Sequence, residues 1–154
     1  MALITVIFLL LAIYQVKHFL CDFPLQGSWM LRKFLPGWEF AGPLAAHAGL
    51  HALFTFGIAL IFSWRPGNVP FCLALAAFDF VVHFTMDRIK AGPKYLGRFK
   101  ALSAKEFGEL WSSTFGSAPQ LKHNTYFWWS LGLDQMVHHL THYAVIYALV
   151  WRMG

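Results

Sequence analysis

The hydrophobic positions of this chain fall into four blocks, at roughly residues 1–22, 43–64, 69–89 and 126–151. A helix crossing the ~30 Å hydrocarbon core of a bilayer needs about 20 mostly apolar residues, and each block reaches that length. The pattern predicts four transmembrane helices. The second and third blocks are separated only by the turn RPGN, so they are expected to form a tight antiparallel hairpin. The other two connections are longer. Residues 23–42 hold Pro24, Gly27, Pro36 and Gly37, with Trp29, Phe34 and Trp38 among basic residues. Within residues 90–125, Ser103 and Glu106 have capping-box spacing, and Phe107, Leu110, Trp111 and Phe115 share one helical face. That pattern predicts a short helix, either lying on the membrane surface or packed on the bundle. The expected fold class is all-α: residues 1–154 as one membrane domain, a four-helix bundle.

The polar positions inside the blocks are regular. His18 and Asp22 stand four residues apart in the first block, and His47 and His51 in the second. Asp79, His83 and Asp87 follow the same step in the third, and Asp134, His138 and His142 in the fourth. A charge at the centre of a membrane helix costs roughly 2.5–3.5 kcal/mol on insertion scales, so such residues need a reason to be there. Residues four apart share a helix face. Each helix therefore offers one stripe of imidazole and carboxylate, as a metal site inside a helical bundle requires. Seven of the eight histidines, all but His123, lie in these blocks.

The motifs also repeat. HFLCD in the first block matches HFTMD in the third, and H-x-x-x-H occurs at His47/His51 and again at His138/His142. The chain thus reads as two helical hairpins of one design, with all four stripes toward the same end. Asp79 and Asp134, each one turn before a histidine, suit the role of carboxylates that orient imidazoles. His139, on a neighbouring stripe, suits an interfacial role. A metal-free polar network or proton relay is the competing reading.

Composition agrees with the blocks. Of 154 residues, 58% are hydrophobic and 12% charged, about half the charged share of soluble domains (~25%). Sixteen Phe and seven Trp suit spans flanked by aromatic belts. The net charge of +5 is unevenly placed. Lys17, Arg32, Lys33, Arg88, Lys90, Lys94, Arg98, Lys100, Lys105 and Lys122 fall on the side of the two long connections, and only Arg65 and Arg152 fall opposite. The positive-inside rule then puts those connections in the cytoplasm and both termini outside a bacterial inner membrane. Topology accounts for the basic residues, leaving nucleic-acid binding without support. The N-terminal MALITVIFLLLAIYQ lacks a basic leader and a cleavage site, so it reads as a retained span. Cys21 and Cys72 have no C-x-x-C spacing and read as small buried hydrophobes.

The candidate metal ligands are His18, Asp22, His47, His51, His83, Asp87, His138 and His142. They exceed what one tetrahedral zinc takes, which suggests two ions or one ion with an extensive outer shell. Zinc ranks first, with iron or manganese also suited to imidazole and carboxylate. HFLCDFPLQ, HFTMDRIK and DQMVHH resemble the signatures of a domain-of-unknown-function family of small bacterial and phage membrane proteins. That resemblance singles out His18, Asp22, Phe23 and Gln26, then His47, then His83, Asp87 and Lys90, then Asp134, Gln135 and His138. A more distant likeness is to inner-membrane proteins described as metal-dependent hydrolases.

Metal-dependent hydrolysis of a lipid or lipid phosphate at the cytoplasmic face is the leading expectation. Asp87 or Asp134 would accept a proton, while Gln26, Gln135 and Lys90 would steady an oxyanion or phosphate. The expected partners are membrane lipids and an amphiphilic substrate. Two alternatives remain. One is a metal or proton transporter, which would need a homo-oligomer. The other is a di-iron or copper oxidoreductase, since H-x-x-x-H with H-H-x-x-H resembles the histidine boxes of membrane desaturases.

Overall fold

A computed structural model describes residues 2–35, 37–63, 65, 67–91, 109 and 125–153. Among them are four long helices: α1 (Leu3–Asp22), α2 (Ala41–Phe62), α3 (Val69–Ala91) and α4 (Thr125–Met153). Their bounds agree with the hydrophobic blocks to within about two residues. The expected helix between Ser103 and Phe115 lies outside the described residues, as does His123.

Proline and glycine set the helix ends. α1 stops just before Pro24, whose ring cannot continue the hydrogen-bond ladder. α2 carries Pro43 in its first turn, where the missing N–H would have no intrahelical partner anyway. The α2–α3 turn needs Gly67 at φ +91°, a left-handed backbone that side chains disfavour, and Asn68 Nδ2 donates to the Ser63 carbonyl at 2.7 Å to close it. Between α1 and α2 the chain forms a short 3-10 helix, Met30–Phe34, packed on α2 and α3.

The helices alternate in direction, and the bundle has two unlike halves. Near the α1 N-terminus, Val6, Leu10 and Tyr14 meet Ile58 and Ala59 of α2, Cys72 and Leu75 of α3, and Val145, Ile146 and Leu149 of α4 in one apolar cluster. At the other end the interior is polar: His18, His47, His51, Asp79, His83, Asp87, Asp134, His138 and His142 are all buried. The outer surface is apolar, with Phe8, Val16, Leu53, Ile61, Val81, Leu140 and Tyr147 exposed. Polar groups inside and large apolar groups outside are what helices solvated by lipid require. Helices α1, α2 and α3 are long and apolar enough to cross a membrane. α4 is longer still but carries the heaviest polar load. Cys21 and Cys72 are free and buried, as expected.

Candidate metal centre

The i,i+4 stripes do face the bundle interior, and they meet there. One nitrogen from each of His18, His51, His83 and His142 can be chosen so that all four lie within 4.8 Å of one another. Each of the four helices supplies one of these imidazoles. They are the two repeated pairs of the sequence, His18 with His83 and His51 with His142. Two further groups adjoin them, Asp22–His47–His51 and Asp87–Asp134–His138.

Outer partners decide what each imidazole offers. Gln135 Nε2 donates to Asp134 at 3.2 Å, so its Oε1 faces His18 and accepts from His18 Nε2 at 2.9 Å. Asp22 stands 3.2 Å from the same nitrogen. Asp22 also accepts from His51 Nε2 at 2.9 Å. His83 Nδ1 donates to the Asp79 backbone carbonyl at 3.2 Å, with the Asp79 carboxylate 2.9 Å away. In these three rings the proton is thereby placed on the outer nitrogen. The other nitrogen (His18 Nδ1, His51 Nδ1, His83 Nε2) is a lone pair, buried and without a partner.

His142 is different. Its Nε2 lies 3.4 Å from the ammonium of Lys17, which can only donate. Nε2 is therefore the acceptor, and the proton of the neutral ring sits on Nδ1, which is also buried and unpartnered. The cluster thus holds three lone pairs, each in a ring whose other nitrogen faces an oxygen acceptor with a carboxylate close by, and one N–H. Buried polar atoms without partners are rare and costly, and here the rings that carry them come together from four helices. A metal ligand that gives its second ring N–H to a carboxylate is the usual arrangement around bound ions, so the donor set fits one.

The neighbouring carboxylates are matched by lysines. Lys17 Nζ meets Asp79 at 2.6 Å, Lys33 meets Asp87 at 2.8 Å, and Lys90 meets Asp134 at 2.6 Å and Asp87 at 3.6 Å. Asp87 also faces His47 at 3.2 Å and His138 at 3.7 Å. Arg88 turns away, its guanidinium 3.5 Å over the ring of Phe40. In the described interior, Asp22, Asp79, Asp87 and Asp134 thus stand against the ammonium groups of Lys17, Lys33 and Lys90.

Most of the predicted site residues are thus together. His18, Asp22, His51 and His83 join the tetra-imidazole cluster directly or through one hydrogen bond, and so does His142. His47, Asp87, Asp134 and His138 form the adjoining layer, with Lys90 and Gln135 bonded to Asp134. Asp79 and Asp134 each orient the histidine one turn on, at 2.9 and 3.2 Å. Gln26 is half-buried in the turn after α1 and makes no side-chain hydrogen bond among the described residues. His139 stands outside the cluster, against Gln15 at 3.3 Å.

The charge pattern misplaces Lys17 and Lys33. It groups both with the loop charges that orient a membrane protein, yet they are 2% and 3% exposed and ion-paired in the interior. For Lys17 the sequence does carry a signal, its place beside His18 inside an apolar block. For Lys33, on a connection, it carries none. Thr55 is a further interior group that the stripes do not mark: its hydroxyl donates to Asp79 Oδ2 beside Lys17. Thr55→Val keeps the shape and removes that donor. A hydrogen bond to a charged group is worth about 1.5–3 kcal/mol, and a loss of that size is expected in unfolding of the detergent-solubilised protein.

The site defines the chain as an all-helical protein whose interior brings histidines and aspartates from four helices into groups able to hold a metal ion. Over residues 6–154 the sequence matches the family described as protein of unknown function DUF3307, and the chain belongs to that family. No curated protein and no solved structure matches it.

Proposed function

We propose that this is a metalloenzyme of the bacterial inner membrane, four spans enclosing one catalytic divalent ion, that hydrolyses a lipid or lipid phosphate at the cytoplasmic end of the bundle. The observation that carries this reading is the unequal tetra-imidazole cluster. Three buried lone pairs, each in a ring whose other nitrogen is held by an oxygen acceptor (the Gln135 amide, the Asp22 carboxylate or the Asp79 backbone), match the three protein ligands of a catalytic zinc, which keeps its fourth position open. Iron or manganese would use the same donors.

A bound ion supplies Lewis acidity and lets a water ionise near neutral pH. The chain's residues supply the rest. His142 donates from Nδ1 to the oxygen that gains negative charge. Asp87 or Asp134 takes the proton, with His138 between them and the cluster, its ring stacked on His83 at 4.0 Å. Lys90 and Gln135 steady an anionic group beside Asp134, and Gln26 lies in the turn at the same end.

Placement favours hydrolysis over transport. Below Tyr14 the interior is closed by Leu10, Ile58, Leu75, Val145 and Leu149, so among the described residues no polar route continues through the bundle. The surface of α4 supports reading it as the fourth span. Asp134 faces inward, while Leu133, Met136, Leu140 and Tyr147 are exposed. The exposed Trp129 and Trp151 are 22 residues apart, about 33 Å of helix, matching the ~30 Å hydrocarbon core. With Lys17, Lys33 and Lys90 removed from the count, seven basic residues still flank the site end against Arg65 and Arg152, which favours that end as cytoplasmic.

Protein expressed with ample metal and purified in detergent is expected to carry about one equivalent of zinc, iron or manganese by mass spectrometry. It is expected to hydrolyse a phospholipid or lipid phosphate in a screen, with activity abolished by chelation. Absence of stoichiometric metal would overturn the centre. Metal flux in proteoliposomes without turnover of any lipid would replace the enzyme with a transporter.

A further inference from the structure

The adjoining group Asp87–Asp134–His138 has a feature that the catalytic reading leaves unused. Its donors are close enough to hold an ion: His138 Nε2 lies 3.2 Å from Asp134 Oδ1 and 3.7 Å from Asp87 Oδ1, and Asp134 Oδ1 is buried without a hydrogen-bond partner. Two ammonium groups already neutralise it: Lys33 at 2.8 Å from Asp87, and Lys90 at 2.6 Å from Asp134.

Charge balance sets these lysines and a second ion in competition. Two carboxylates and two ammonium groups are neutral. A divalent ion added among them would leave a buried charge of +2, and uncompensated charge in an apolar interior is strongly unfavourable. Withdrawal of one lysine lowers that charge to +1, so loading an ion favours its departure. Lys90 is fixed on α3 three residues after Asp87. Lys33 hangs from the five-residue 3-10 helix between α1 and α2, whose flanking Trp29, Phe34 and Trp38 are 51%, 49% and 85% exposed. Lys33 is held inward by the packing of that short helix on α2 and α3 and by its ion pair, but unlike Lys90 it is not carried on a bundle helix, so it is the one able to leave.

We infer that Asp87, Asp134 and His138 form a second divalent-cation site for which Lys33 is a built-in competitor, and that loading it expels Lys33 and frees the 3-10 connection. The first connection is then a cation-responsive cover over the site end of the bundle: closed with one ion bound, open with two. This inference rests on the metal-binding part of the proposed function and is independent of hydrolysis.

The test compares zinc stoichiometry of the full-length wild type and Lys33→Met at micromolar free Zn²⁺. Lys33→Met is expected to bind one equivalent more than the wild type, and Lys33→Met with Asp87→Asn to return to the wild-type value. Equal stoichiometry in wild type and Lys33→Met overturns the inference, even if the first ion is present. A wild type without its first ion, in which Lys33→Met still gains one equivalent, counts against the proposed function alone.

Lys33→Met leaves Asp87 with only Lys90, so a second measurement guards against a folding defect. Cys21 and Cys72 are buried, so a spin label on Ser28→Cys reports the exposed connection in an otherwise native chain. Its mobility is expected to rise as a second, weaker equivalent of Zn²⁺ binds. A second equivalent that binds with the label unmoved, or none binding at millimolar Zn²⁺, overturns the inference.

Discussion

His83→Ala is expected to emerge from purification without its ion while keeping its helices. His83 is fully buried, its Nδ1 donates to the Asp79 backbone carbonyl at 3.2 Å with the Asp79 carboxylate beside it, and its Nε2 is one of the three lone pairs in the cluster. Replacing a group that merely orients a metal ligand costs about 10–100-fold in affinity, so removing the ligand itself should cost at least about 100-fold. The fold has less to lose. Asp79 retains Lys17 at 2.6 Å and the Thr55 hydroxyl, so the substitution leaves no unpaired buried charge. Metal content by mass spectrometry and helicity by circular dichroism decide the matter. A wild-type metal content in His83→Ala would sink the tetra-imidazole centre. Asp79→Asn bears on the same chain of contacts one step out, and is expected to weaken metal binding about 10–100-fold.

The separation of ligand from orienting group is partly legible in the sequence. An apolar block interrupted at four-residue steps by histidine and aspartate gives both the helix and the face that turns inward. The bounds of all four helices, and the convergence of His18, His51, His83 and His142, follow from that periodicity. What periodicity cannot supply is the depth of neighbours on other helices. Lys17 looks like a charge near a membrane boundary until α3 brings Asp79 to 2.6 Å from it. Lys33 lies on a connection whose path no repeat dictates, and only the packing of the 3-10 helix carries it to Asp87. Gln26 shows a different limit of spacing. Its motif spacing points to the site, but it follows Pro24 in a turn, where the helical face no longer governs direction. Nor can spacing show that the four imidazoles are unequal. That difference comes from the atom behind each ring, an oxygen acceptor for three and an ammonium for the fourth.

That inequality gives the second large effect. His142→Ala is expected to keep its ion and lose turnover. The Lys17 ammonium, at 3.4 Å from Nε2, places the neutral ring's proton on Nδ1, so His142 offers a donor where the other three offer lone pairs. A fixed donor aimed at a developing oxyanion is worth about 10²–10³ in turnover rate, and a fall of that size is expected on lipid hydrolysis with metal content unchanged. His142→Gln, which restores an N–H at a similar reach, should recover part of the loss if donation is the role. If His142→Ala instead comes out as empty of metal as His83→Ala, all four imidazoles are ligands. The ion would then have to keep an open position by coordinating more than four groups, which favours iron or manganese over zinc. Metal content and rate in the one variant therefore decide both the role of His142 and the kind of ion the bundle is built to hold.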